Sequence, residues 1–172
     1  MTVNAHLHIH MIWAQDRRGG IGVGNKLPWH ISADLQNFKR ITLGKPVLMG
    51  LNTWQSLPRK PLPKRRNIVL SPDKLEDVES YNSIESCLDQ LRQDRVEDIF
   101  IIGGAIVYGS FYSLADELHI TLVEKINEDI DVFFPIPFTA IQQDFQKVEE
   151  LPLTDSATYT CWKRARQIPV SN

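Results

Sequence analysis

The sequence predicts an α/β domain with a mixed, mostly parallel sheet, helices packed on both faces and an antiparallel C-terminal edge. Three observations carry that expectation. Short apolar runs, VLMG (47–50), NIVLS (67–71) and DIFII (98–102), are the pattern of strands buried on both faces. Helix-like stretches separate them, which implies parallel crossovers. The closing segments ELHITLVE (117–124), 132–134, FQKVEEL (145–151) and TYTCWKRA (158–165) have no helix between them and are expected to turn back antiparallel. A chain of 172 residues suits one domain, 1–172.

The first expected strand is LHIHMIWA (7–14). His6, His8 and His10 alternate, so on a strand they share one face. HxH at a strand end is one way to begin a metal site. The plainer reading is an N-terminal extension, because His30 and His119 look isolated and a metal normally needs three or four ligands. No metal is expected.

Residues 16–30 are polar and carry Gly19, Gly20, Gly22 and Gly24, followed by Pro28 and Trp29. They read as a loop able to close as a lid, since Ile21, Leu27 and Trp29 need something to cover. Ser32 is expected to cap a helix running to about Leu43, ended by Gly44 and Pro46. Asp34 falls in its first turn, where the helix dipole favours a charged acid, and Leu35 and Phe38 border the same surface. A helix is expected from Asn52-Thr53 through Leu57. PRKPLPKRR (58–66) is a stiff basic connector. Its Arg65 and Arg66 could grip a carboxylate bidentately or could simply be solvated. Ser83 is expected to cap a helix over 83–93, with Ile84, Leu88 and Leu91 on one face.

Gly103-Gly104 follow a buried strand and precede a helix, an arrangement that offers backbone N–H groups to a phosphate. There is no GxGxxG and no GxxxxGK[ST], which disfavours a P-loop phosphotransferase. Ligands of open parallel sheets bind at the carboxyl ends of the strands. That rule gathers Ala14, Gly50, Ser71 and Gly103 on one rim, and the loop and the Asp34 helix leave the first strand at the same rim.

Composition excludes other classes. A hydrophobic fraction of 42%, a charged fraction of 23% and a net charge of −2 give no reason to expect nucleic acid or a membrane as partner. No apolar run approaches the roughly 20 residues of a membrane helix, and MTVNAHLHIH does not read as a signal peptide. Cys87 and Cys161 fit free thiols in the cytoplasm.

Taken together, WAQDRRGGIGVGNKLPW, ADLQNFKR, KPVLMGLNTWQSL, RKPLPKRRNIVLS and IFIIGGAIVY closely resemble the dihydrofolate reductase family, in order and at family spacing over about residues 9–165. The resemblance implies eight strands, about four helices, and hydride transfer from NADPH to dihydrofolate. Another pteridine or pyrimidine reductase on the same fold is the neighbouring reading. A metal hydrolase built on the histidines and a non-catalytic folate- or nucleotide-binding protein are the readings from other classes. By position, Asp34 would anchor the pteridine with support from Thr121. Ile12 and Ile102 would line that site with carbonyls, Leu35, Phe38 and Leu57 would sandwich the rings, and Arg65 would hold the glutamate tail. Leu27, Trp29 and Tyr108 complete the expected catalytic surroundings. The expected cofactor contacts are Ala14, Ile21, Gly22, Gly50, Asn52, Thr53, Leu70, Ser71, Gly103, Gly104, Ala105, Ile106, Val107 and Tyr108, with a cis Gly103–Gly104 bond. Diaminopyrimidine or pteridine antifolates are expected ligands, and a monomer is the expected state. Residues 1–6 and 166–172 lie outside the pattern as an extension and a tail. The sequence departs from the family at Leu51, where a basic residue usually meets the adenosine 2′-phosphate, and at Pro72, with Lys74 nearby. Weaker discrimination between NADPH and NADH is expected.

Overall fold

The computed structural model describes residues 6–24 and 26–165. In chain order the elements are β1 (His8–Asp16), β2 (Gly20–Gly22), α1 (Ser32–Thr42), β3 (Val47–Gly50), α2 (Leu51–Ser56), β4 (Asn67–Leu70), β5 (Glu79–Tyr81) and α3 (Ile84–Gln93). They continue with β6 (Asp98–Ile101), α4 (Ala105–Phe111), a 3-10 turn (Tyr112–Leu114), β7 (Glu117–Val123), β8 (Val132–Phe133), α5 (Phe138–Asp144), β9 (Phe145–Thr154) and β10 (Ala157–Arg164).

Eight strands form one sheet in the order β5-β4-β3-β6-β1-β7-β10-β9. The first five neighbouring pairs are parallel, and β7-β10 and β10-β9 are antiparallel. The chemical reason is visible in β3, β4 and β6. Val47, Leu48, Met49, Ile68, Val69, Ile99 and Ile101 are wholly buried, as strands covered on both faces require. In β9, by contrast, all but Phe145 and Leu153 lie exposed, as suits an edge. Two apolar clusters sandwich the sheet. One holds Met11, Trp13, Ile68, Leu91, Phe111 and Ile141; the other holds Ile12, Val47, Met49, Trp54 and Phe100.

Four details depart from the sequence expectations. The 16–30 segment is not all loop: Gly20–Gly22 pairs with Val132–Phe133 in a separate two-stranded sheet. Ser32 is the first helical residue, and the cap position belongs to Ile31, which is buried against Val123 and Ala157 and makes no side-chain cap bond. A fifth helix, α5, fills the stretch after Pro137. The expected strand at 132–134 contributes only to the small sheet. Ser83 does cap α3, accepting from the Ser86 N–H at 3.1 Å. No helix among the described residues is long and apolar enough to cross a membrane. The tail 166–172 and residues 1–5 lie outside the described residues.

Candidate active site

Parallel pairing in register brings Ala14 of β1 opposite Thr121 of β7. Side chains alternate along a strand, so Thr121 projects toward the face on which α1 lies. Its hydroxyl donates to Asp34 Oδ1 at 2.7 Å, joining residues 87 positions apart. Burial pushes the Asp34 carboxyl above its ordinary pKa, and the Thr121 hydrogen bond opposes that rise. The acid is only half-buried, so one edge of it remains open to a ligand.

Apolar groups surround this region. Phe38, Leu57 and Ile102 pack with Ile12 in one cluster, and Trp29 packs with Ala14, Ile31 and Ala33 in another. Leu35 is 40% exposed and Leu27 59% exposed, large values for leucine. The Trp29 indole Nε1 is buried without a hydrogen-bond partner among the described residues. A buried N–H of that kind is costly unless something polar reaches it.

The Tyr108 hydroxyl donates to the Ile12 carbonyl at 2.7 Å, and its ring lies against Trp13 and Phe134. Burial raises its pKa strongly, so it stays a neutral donor. That hydrogen bond fixes the Ile12 carbonyl, which keeps a second lone pair.

The glycine pair sits where the strand-end rule requires. The Gly103–Gly104 bond is cis, and Gly103 has φ +127°. A Cβ at either glycine would come 3.4 Å from Thr53 Oγ1. The Gly50 N–H donates to Gly103 O at 2.8 Å, and a Cβ at Gly50 would come 3.0 Å from Val107. Bare backbone of three glycines thus meets Thr53 and Val107. Ser71 is buried and its N–H donates to Tyr81 O. Beside it lies a depression of about 230 Å³ lined by Ser71, Pro72, Lys74, Ser80, Tyr81, Asn82 and Ser86. Ile21, Leu70 and Val107 pack on the main core, while Asn52 and the 86% exposed Ile106 face outward. Gly22 is buried and its carbonyl accepts from Asp131 N, while Ala105 opens α4.

The two arginines separate cleanly. Arg66 clamps Glu79 with two 2.8 Å bonds and reaches Asp94 at 2.6 Å, so it belongs to the scaffold. Among the described residues Arg65 bonds only neutral oxygens, Thr42 Oγ1 at 3.1 Å and Pro63 O at 3.0 Å, with its guanidinium 5.8 Å from the Phe38 ring centroid. It has charge to spare for an anion.

Sequence reasoning missed the groups that hold the glycine-rich segment. Asn127 donates to Pro28 O at 3.0 Å, and Asp131 accepts from Gly24 N–H at 2.9 Å. Nothing local in a polar loop announces such partners 99 and 107 positions away. The isolation expected of His119 is also corrected. Parallel pairing of β1 with β7 brings its Nε2 within 3.0 Å of His10 Nδ1.

The chain's likeness to known proteins agrees with this arrangement. A family model described as dihydrofolate reductase matches residues 8–164. A dihydrofolate reductase of Neisseria gonorrhoeae is 41% identical over 143 residues, 81% of this chain and 86% of that one. The dihydrofolate reductase type 3 of Salmonella typhimurium is 37% identical over 157 residues, 89% of this chain and 93% of its own. Among solved structures, the Enterococcus faecalis dihydrofolate reductase complexed with NADP(H) and RAB-propyl superposes with a TM-score of 0.81 at 30% identity. That match covers 92% of this chain and 97% of the other.

Proposed function

The chain belongs to the dihydrofolate reductase family, and from that premise we propose which of its residues do the work. The reaction is reduction of 7,8-dihydrofolate to 5,6,7,8-tetrahydrofolate with NADPH. The observation that carries the assignment of roles is the Asp34–Thr121 pair at the carboxyl ends of β1 and β7.

Asp34 accepts two parallel hydrogen bonds from the amino group and ring N–H of the pteridine, a geometry suited to a carboxylate. Its raised pKa favours proton delivery to the ring through water. Thr121 holds the carboxylate in the plane of that contact and is a positioning residue. Ile12 and Ile102 offer carbonyls at the same edge, while Leu35, Phe38 and Leu57 hold the flat rings. The Trp29 N–H, unpartnered among the described residues, faces the same need for a polar partner. Arg65 grips the glutamate carboxylate of the substrate; its present partners are neutral and exchangeable. Antifolates of the diaminopyrimidine and pteridine types carry the same amidine-like edge and pair with Asp34 in its place.

The rim fits a dinucleotide. Gly50, Gly103 and Gly104 leave backbone bare beside Thr53, and exposed Ile106 opens the first turn of α4 to an apolar ring. When bound, NADPH supplies the hydride. Ala14, Ile21, Gly22, Thr53, Leu70, Ser71 and the run Gly103–Val107 then hold and orient it, with Asn52 at the outer edge. The 21–29 segment closes over the pair and excludes water from the reaction path. At Leu51 the side chain packs against the cluster that holds Val47 and Met49 and offers no charge to a 2′-phosphate, while Lys74 borders the depression beside Ser71. The ratio of kcat/KM for NADPH over NADH is therefore smaller than in relatives with a basic residue there. A ratio equal to theirs would retire that point.

The working unit is the single domain acting as a monomer, because one chain supplies both the acid and the glycine rim. Cytoplasmic location is supported by two buried cysteines, Cys87 and Cys161, that stay unbridged. The test of the whole reading is the loss of reduced-nicotinamide absorbance with dihydrofolate, run on the wild type and on Asp34→Asn. Wild-type turnover with a large loss in the variant is expected; equal turnover in both would overturn the role of Asp34.

A further inference from the structure

The opposite end of the strands carries a second constellation that the reductase chemistry does not use. His8 opens β1 opposite Asp98 of β6, and two residues on, His10 lies opposite Glu117, the first residue of β7. His8 Nε2 lies 3.0 Å from Glu117 Oε2, and His10 Nδ1 lies 3.7 Å from the same oxygen. His119 Nε2 lies 3.0 Å from His10 Nδ1 and 3.9 Å from Glu117 Oε1. One donor atom from each of His8, His10 and Glu117 falls within 4.8 Å of the others.

These spacings are those of a coordination shell. A tetrahedral ion with bonds near 2.0–2.1 Å sets its ligand atoms about 3.3 Å apart. The two separations from Glu117 Oε2, 3.0 Å to His8 Nε2 and 3.7 Å to His10 Nδ1, bracket that value. The outer partners are those a metal-binding histidine needs. Asp98 Oδ1 accepts from the His10 Nε2–H at 2.8 Å, which leaves His10 Nδ1 facing the cluster. The Phe100 ring stacks on His10 with centroids 4.2 Å apart and fixes its plane. The Tyr159 hydroxyl lies 2.7 Å from His119 Nδ1, leaving Nε2 turned inward. An ion at His10 Nδ1 would take the place of His119 Nε2 as the partner of that lone pair, with no change in the protons held by either ring.

The site is reachable. It borders an open depression of about 490 Å³ lined by His6, His8, His10, Glu97, Asp98, Glu117 and Lys163. Three carboxylates face one lysine there, and Lys45 already pairs with Asp98 at 3.5 Å. Imidazole nitrogens with a single carboxylate suit zinc-class ions and not magnesium or calcium, which prefer oxygen ligands.

We propose that His8, His10 and Glu117 bind one divalent transition-metal ion of the zinc class at the rim remote from Asp34, with the fourth position open to solvent. The ion ties the first strand to β7 and stabilises the fold. This inference does not depend on the reductase reading, and its test needs no turnover.

The test uses the full chain without a histidine tag, stripped with chelator and titrated with Zn²⁺ alone in a calorimeter. Co²⁺ serves as the spectroscopic probe. One equivalent of Zn²⁺ is expected, with a rise in melting temperature and a visible Co²⁺ band of tetrahedral strength. His8→Ala, a change at a half-exposed residue that leaves the core intact, is expected to weaken binding at least tenfold. Glu117→Gln should do the same, and His30→Ala should leave binding unchanged. Sub-stoichiometric binding by wild type would overturn the site. So would unchanged affinity in His8→Ala, or loss in His6→Ala with retention in Glu117→Gln.

Discussion

Two carboxylates mark the two ends of β7, and the protein treats them in opposite ways. Glu117, at the first residue, lies 3.1 Å from the Cys161 thiol and 3.0 Å from His8, with His10 and His119 close by. Burial pushes its pKa up, yet those bonds and imidazoles more than offset that, and the carboxyl falls below its ordinary value. Asp34, bonded near the other end, has one hydroxyl partner, and burial wins. One rim satisfies its acid and the other leaves its acid wanting. An acid held short of partners is unfavourable for the empty fold and useful to a ligand that brings two N–H groups.

The largest effect that would break this comparison lies at Asp34. Asp34→Asn should lower turnover with dihydrofolate by roughly 10²- to 10⁴-fold near neutral pH, the usual worth of a positioned proton source. Part of the loss should return as pH falls, because solution then supplies the proton. Next is Arg65→Lys. Losing the bidentate fork should raise KM for dihydrofolate by about tenfold or more while kcat and melting temperature hold steady, since charge-assisted bonds contribute roughly 1.5–3 kcal/mol. A fall in kcat without a change in KM would remove Arg65 from the tail site. The smallest effect on activity belongs to the opposite rim. Glu117→Gln, measured with chelator present, should destabilise the fold by about 1–3 kcal/mol in denaturant titrations and leave turnover within about twofold.

How legible each rim was from sequence follows from how each is built. Strands β3, β4 and β6 announce themselves because both faces are buried and their central residues, Val47, Leu48, Met49, Ile68, Val69, Ile99 and Ile101, are apolar. The place of Asp34 beside the ends of β1 and β7 was legible because the strand-end rule and the helix start both point to it. The short helix α5 carries a single buried residue, Ile141, and gives no periodic signal. Strand β5 is three half-buried residues at an edge. Ser32 looked like a cap, but burial of Ile31 fixes where the chain enters the helix. His119 looked solitary because its partners lie 109 and 40 positions away and meet it only through strand pairing. Local pattern reports on single elements; register between distant strands decides which polar groups meet.

The claim that the Asp34 rim gives up stability for ligand binding has a direct test in the ligand-free chain. Melting temperatures of wild type and Asp34→Asn are compared from pH 4 to pH 8. A raised carboxyl pKa means the folded state holds its proton more tightly than the unfolded chain does. The contribution of Asp34 is then fully present below the unfolded pKa and is lost as pH rises through the folded one. The variant lacks that loss. The two proteins should therefore melt most nearly alike at the acid end, with the variant gaining by a few degrees as pH approaches 8. A variant that melts below wild type at neutral pH would show that the Asp34 carboxylate stabilises the empty fold, and would contradict the account.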